Sequence, residues 1–253
     1  MFSTELLTDL LQTDFLGSDI IFEPQINSTN EDAWNYFHNG NPEGTLVITN
    51  DQQHGRGRLH NKWVSTKGKS LTFSVILRPK IPLEKLGLLP LLTGVSIIKG
   101  IASSTSIQAG LKWSNDIMLN QKKMGGILLE SKSTQNGLGV VIGIGLNINE
   151  SIHDFPETLC KQVTSLSMHT GKQYTIERIL ASILNEFELL YIQQWDTIIS
   201  SWRKYCIHLN KNVTFHIEKD LHEGKFQGIS SLGHAKIQIN GETQTFPAGV
   251  ITL

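Results

Sequence analysis

The chain has 253 residues, 39% hydrophobic and 18% charged, with a formal net charge of −1. That is enough chain for a large core, and too little charge imbalance for a broad nucleic-acid footprint. The start, "MFSTELLTDLLQTDFLGSDI", carries acids and no basic residue, unlike a secretory or transit peptide, and no apolar run is expected to span a bilayer.

The first clear element follows "INSTNEDAWNYFHNG", where Ser28 and Glu31 fit a capping box and Ala33, Trp34 and Phe37 give a helix its apolar side. Thr45 to Asn50 and Ser70 to Pro79 read as β-branched strands, joined by a basic, glycine-rich loop of unusual length. Leu83 to about Ser104 reads as a buried helix, kinked or broken at Pro90. Short strands are predicted up to Trp113, over Ile117 to Leu119 and over Met124 to Ser131, with a turn at Asn120-Gln121. Gly137 to Asn149 is a glycine-rich strand that invites close approach by a ligand or another backbone. Ile176, Ile179, Leu180, Ile183, Leu184, Phe187 and Leu190 mark one face of a long helix, and a second helix carries Trp195, Ile199 and Trp202. From about Lys211 the pattern changes to short strands and turns, including Asn240-Gly241. The expected division is a domain over residues 1–210 and a small β domain over 211–253. Cys160 and Cys206 fit no metal or redox spacing and read as buried free thiols of a reducing cytoplasm.

Several chemistries can be set aside. Gly68 to Ser70 ends like a P-loop, but Trp63 stands at its first glycine and a strand follows. In "GLGVVIGIG", Ile142 occupies the third glycine of a dinucleotide fingerprint. No histidine pair has metalloprotease spacing and no serine sits in a nucleophile elbow, so covalent catalysis has no candidate. What survives is the loop "DQQHGRGRLHNKWVS". Gly55 and Gly57 let backbone N–H groups approach an anion, while Arg56 and Arg58 can bind phosphate or carboxylate bidentately. A solvated turn with two surface arginines is the bland alternative. Lys112 and Lys123, beside Asn115, Asp116, Gly125 and Gly126, add positive charge and make a nucleotide site the sharper reading.

Five blocks carry a resemblance: "STN" (Ser28 to Asn30), "QQHGRGRLHNKW" (Gln52 to Trp63), "KWSND" (Lys112 to Asp116), "KMGGILLE" (Lys123 to Glu130) and "GIGLNIN" (Gly143 to Asn149). In this order and spacing the chain resembles the biotin protein ligases from about residue 20 onward. The resemblance implies an α+β fold, with a mixed sheet flanked by helices, akin to class II aminoacyl-tRNA synthetases, and then an SH3-like barrel. It also implies a two-step reaction with ATP, biotin and Mg²⁺. Biotin's carboxylate attacks the α-phosphorus to give biotinyl-5′-AMP; a lysine of a biotin carboxyl carrier domain, as in acetyl-CoA carboxylase, then displaces AMP. Such chemistry asks for positioning and charge neutralisation rather than a nucleophile.

By the same resemblance, Ser28, Thr29, Asn30, Gln52 and Arg56 form the polar wall around the biotin ureido ring, within a biotin site that includes Gly55, Gly57, Gly125 and Gly126. Lys123 faces the carboxylate and α-phosphate, Arg58 grips the adenylate phosphate, and Lys112 and Asp116 organise phosphates and metal. Asn115 reads adenine, Trp63 covers the loop or stacks near adenine, and Asn147 helps hold the adenylate. Plainer readings stand beside these: a helix cap for Ser28 and Thr29, a structural tryptophan for Trp63, and a strand-end asparagine for Asn147. His60 and Asn61 replace a glycine and an arginine found in many bacterial members, and Ser114 replaces a proline. Only some twenty-five residues precede the ligase motifs, so no DNA-binding module and no specific DNA affinity are expected. A membrane partner is not expected, and a homodimer is left open. A lipoate ligase would share the fold but lack the polar wall; a non-catalytic biotin-responsive regulator would not need Lys112 and Lys123.

Overall fold

In the computed structural model, which describes residues 2–134, 137–193, 195–217 and 220–252, the turn-punctuated apolar runs form strands of two separate sheets. The larger contains β1 (Ile20–Glu23), β2 (Leu46–Thr49), β3 (Ser70–Leu77), β4 (Gly110–Lys112), β5 (Asp116–Leu119), β6 (Lys122–Thr134) and β7 (Gly137–Asn147). Their order is β1-β2-β3-β7-β6-β5-β4; β1 pairs parallel with β2 and the other neighbours pair antiparallel. Central β3 is buried at every position, which requires cover on both faces.

That cover comes from helices of different character. On one face, α2 (Thr29–His38) lays Ala33, Trp34 and Phe37 against Val47, Ile76 and Val141. The opposite face carries α3 (Leu88–Thr105), apolar around most of its circumference, with α5 (Ile176–Gln193) packed over it. The helix expected to kink or break at Pro90 is divided just ahead of it: a 3₁₀ turn at Leu83–Lys85 precedes α3, and the proline sits in the first turn, where its missing N–H forfeits no intrahelical bond. The expectation that no run reaches membrane-spanning length fails here. Leu83–Thr105 qualifies by length and by a mean hydropathy of 1.6, yet two thirds of that window is buried inside the fold. It is apolar all round because protein surrounds it.

Two early elements were not anticipated. α1 (Thr4–Leu10), capped by Ser3, buries Leu7, and β1 extends the sheet beyond β2; both are too short to show a hydrophobic period. The capping box expected at α2 is absent, since Ser28 occupies the cap position without a side-chain capping bond. Two further helices, α4 (Leu166–Thr170) and α6 (Trp195–Tyr205), complete the set. The two thiols are half-buried rather than buried, and burial pushes Cys206 up to about 11.

The second sheet is antiparallel, with β8 (Asn212–Ile217), β9 (Asp220–Ile229), β10 (Ala235–Ile239), β11 (Glu242–Phe246) and β12 (Ile251–Thr252) in the order β11-β10-β9-β8-β12, an SH3-like arrangement. Asn240 and Gly241, both at positive φ (50° and 89°), close the β10–β11 hairpin as a primed turn. Trp113 Nε1 donates to Gly233 O (3.0 Å) and Ile207 N to Leu111 O (3.0 Å), so this sheet and the chain leading into it are tied to the end of β4.

Candidate active site

One row of register partners crosses the larger sheet: Thr49, Thr72, Gly145, Gly126, Asp116 and Lys112, on β2, β3, β7, β6, β5 and β4 in turn. Directly opposed residues of antiparallel strands point to the same face. The two glycines therefore leave a shallow floor between Thr72 and Asp116, roughly 14 Å across at the usual strand spacing. A cavity of about 160 Å³ lies on that floor. Over it the long loop brings Trp63, whose indole rests on Gly145: a Cβ there would meet Trp63 Cε2 at 2.4 Å.

The cavity has two unlike ends. At the first, Gln52 Oε1 accepts from Thr29 N (2.9 Å) and Thr29 Oγ1 (3.3 Å). Ser74 Oγ lies 2.8 Å from Thr29 Oγ1 and 2.7 Å from Asn30 Oδ1. Asn30 reaches this spot because β7 has Gly143 opposite Ser74, where a Cβ would stand 2.1 Å from Asn30 Oδ1. Asn30 Nδ2 donates to Glu130 Oε2 (2.9 Å), which also accepts from Trp34 Nε1 (3.3 Å) and Arg56 Nη2 (3.4 Å). Ser28, Thr29, Asn30, Gln52 and Ser74 are buried, so the hydrogen bonds are made in low dielectric and fix each group's orientation.

The second end is cationic. Asp116 pairs with Lys123 (Nζ–Oδ1 2.5 Å) and more loosely with Lys112 (Nζ–Oδ2 3.7 Å). Arg58 Nη1 donates to Asn115 Oδ1 (3.0 Å) and to Ser114 Oγ, while Asn115 Nδ2 donates to Ile127 O (3.0 Å). Burial lowers the Arg58 pKa, against the field of Asp116, which supports the charge. Two lysines thus pair with one carboxylate, the only one among the described residues lining the cavity, and Arg58 stands in its field. An incoming polyanion would find that surplus partly desolvated, Arg58 and Lys112 more than Lys123.

Of the residues singled out from sequence, Ser28, Thr29, Asn30, Gln52, Arg56, Gly57, Arg58, Trp63, Lys112, Asn115, Asp116, Lys123 and Gly126 line this cavity. Three do not. Gly125 faces the other side of β6, where a Cβ would meet Leu146 Cδ2 at 2.3 Å; strand alternation lets only one of two adjacent glycines reach the floor. Gly55 lies at the base of the loop, which Trp63 N closes by donating to Gly55 O (2.9 Å). Asn147 is buried one row beyond, donating from Nδ2 to Thr164 O (3.0 Å). Asn115 has both ends of its amide engaged, by Arg58 and by Ile127, which in this conformation makes it a support for Arg58. Sequence reasoning missed Ser74, Thr72 and Glu130, and also Gly249, Val250 and Ile251, which bring the second sheet to the cavity. The period of β3 places Ser70, Thr72 and Ser74 on one face; nothing in the sequence points to the last three.

Residues 22–147 match the Biotin/lipoate A/B protein ligase family, so fold and site define a ligase of that class. The chain is 36% identical over 228 residues to the bifunctional ligase/repressor BirA of Bacillus spizizenii, covering 88% of this chain and 70% of that protein. It is 30% identical to the biotin--[acetyl-CoA-carboxylase] ligase of Mycobacterium tuberculosis, covering 89% and 85%. Among solved structures, the biotin protein ligase from Aquifex aeolicus in complex with biotin and ATP superposes with a TM-score of 0.78 at 27% identity, covering 93% of this chain and 98% of that one. The chain belongs to the biotin protein ligase family.

Proposed function

We propose that this cavity holds biotin across the glycine floor, with the ureido ring at the neutral end and the carboxylate at the cationic end. The observation that carries the reading is this polarity: buried neutral donors and acceptors on one side, and Lys123, Lys112 and Arg58 on the other. The chain activates biotin with ATP and transfers it to a lysine. In the first step a biotin carboxylate oxygen attacks the α-phosphorus, and the bond to the β-phosphate oxygen breaks, releasing pyrophosphate. Lys123 exchanges part of its contact with Asp116 for the phosphoryl oxygens, whose charge grows in the transition state; that difference accelerates the step. Arg58 is held by Asn115 and Ser114 with donors free for the adenylate phosphate. In the second step a carrier lysine amine attacks the anhydride carbonyl, the bond to the phosphate oxygen breaks, and AMP leaves while the amine loses its proton.

The same reading extends to partners and ions. Mg²⁺ would accompany ATP and supply charge neutralisation at the phosphates, for which a site with a single carboxylate would suffice. Asp116, between two lysines, is the residue to touch it; among the described residues no group of three or more His, Cys, Asp and Glu forms a metal site. The acceptor is a carrier domain of a carboxylase such as acetyl-CoA carboxylase. The protein works in the cytoplasm without specific DNA binding, as a net charge of −1 favours. Self-association through an open sheet edge is measurable by sedimentation.

Biotin-dependent exchange of labelled pyrophosphate into ATP tests the reading. Exchange with biotin and not with lipoate is expected; exchange driven by lipoate, or by neither acid, would overturn it. The neutral wall disfavours lipoate, whose dithiolane offers no partners for Gln52, Thr29 and Asn30.

A further inference from the structure

Thr72 Oγ1 is buried and has no hydrogen-bond partner among the described residues. Its neighbours along the same face of β3 are both engaged: Ser74 with Thr29 and Asn30, and Ser70 with Glu150 Oε1 (2.5 Å) and Thr66 N (2.7 Å). Thr72 lines the cavity and is opposed by Gly145. A buried hydroxyl without a partner is costly, and valine would fill the same volume on a strand without that cost. A second unpartnered atom, Trp63 Nε1, belongs to the indole that rests on the same glycine. Two donors thus border one gap in the floor.

Register says which part of the ligand reaches that gap. Ser74 and Gly143 form the row where Thr29, Asn30 and Gln52 gather; Thr72 and Gly145 form the row two residues along, roughly 7 Å away. A fused bicycle with its ureido edge on the first row lays its thiolane edge on the second. The acid tail leaves from the carbon beside the sulfur and crosses Gly145 and Gly126 toward Lys123. Resting on the biotin reading above, we propose that Thr72 is a specificity-determining residue whose hydroxyl donates to the thiolane sulfur. A thioether sulfur is a weak acceptor, so the contact sorts ligands more than it anchors them. Of the two unpartnered donors at this gap, the hydroxyl is the one carried by the sheet itself, and its contact separates a sulfur-bearing ring from one without it.

Calorimetric binding of biotin, of oxybiotin (ring oxygen for sulfur) and of desthiobiotin (no sulfur and no thiolane ring) to the full chain and to Thr72→Val tests this. Thr72→Val should weaken biotin by about 3- to 5-fold, less than a full hydrogen bond because the acceptor is weak. Oxybiotin should lose at least as much, and desthiobiotin should change by less than about twofold. Thr72→Ser, which keeps the hydroxyl, should bind biotin more tightly than Thr72→Ala, a comparison that survives if the valine variant folds poorly. Equal losses for all three ligands, or no loss for any, would overturn the sulfur contact while leaving the biotin reading intact. A wild-type protein that binds none of the three would overturn both.

Discussion

The two ends of the cavity solve opposite problems. At the neutral end the polar groups around the cavity are already bonded to one another: Ser74 to Thr29 and Asn30, Thr29 to Gln52, Asn30 to Glu130. At the cationic end they are bonded to surrogates: Lys123 to Asp116, and Arg58 to Asn115 and Ser114. A preformed neutral wall rejects wrong rings by leaving their partners unpaired, which is specificity. A charge cluster held by one carboxylate can shift its contacts as phosphate charge develops, which is rate. Ends that differ this way should fail differently when altered.

The largest effect should come from the charged end. Lys123→Ala removes a cation from a charge-assisted contact, worth roughly 2–5 kcal/mol, or about thirty- to several-thousand-fold in rate. Biotin-dependent pyrophosphate exchange should fall by that factor with the fold intact, and biotin binding should weaken by less, because the carboxylate keeps Lys112 and Arg58 nearby. Exchange within threefold of wild type would take Lys123 out of the chemistry.

Outside both ends, burial alone also rejects charge, and Glu150 reports this. It is buried at the end of the Ser74, Thr72, Ser70 ladder, with Oε1 bonded to Ser70 and Oε2 unpartnered among the described residues. Burial raises its carboxyl from 4.5 to about 7, the Ser70 hydrogen bond opposing the shift. Between those values the native state holds a proton that the unfolded chain has lost. Stability from this group is therefore fully present below about 4.5, declines as pH rises to 7, and is flat above. The loss is about 3 kcal/mol. Glu150→Gln should shrink the difference between urea unfolding at pH 5 and at pH 8; an unchanged difference would mean that Glu150 is ionised throughout.

Arg58 belongs to the charged end, and on the proposed reading its part is retention of the adenylate. Arg58→Gly should loosen biotinyl-5′-AMP by about tenfold or more, since a bidentate guanidinium–phosphate contact is lost, and weaken biotin only modestly. The measurable sign is faster release of the intermediate and biotin appearing on unrelated proteins in the same tube. Labelling confined to the carrier, with a wild-type off-rate, would move the phosphate grip to Lys112.

Smallest should be single deletions in the neutral wall. Gln52→Ala leaves Thr29 N without its acceptor and should weaken biotin by several-fold, about 1 kcal/mol, with the exchange rate at saturating biotin nearly unchanged. A fall in saturated rate as large as that of Lys123→Ala would erase the distinction between the two ends.

How much of this was written in the chain differs by level. Helix positions from Ser28 onward are legible where a 3.6 apolar period runs long enough to count, as along α5, while α3 and β3, buried on all sides, are legible as continuous apolar runs bounded by turn and proline signals. The chemistry is legible in five short blocks whose residue types match what an adenylate needs. Four things only the folded molecule decides. It decides which of two adjacent glycines forms the floor, since Gly125 and Gly126 are equivalent in sequence and opposite in a pleated strand. It decides that Leu83–Thr105 is a core helix, because burial on all sides is a property of its neighbours. It decides that Ser74 and Glu130 complete the polar wall and that Gly249 to Ile251 close the cavity, contacts made across 44 to more than 100 residues of chain. And it decides that Thr72 lies in one row with Asp116 and Lys112, because strand register is set by long-range pairing that no local pattern encodes.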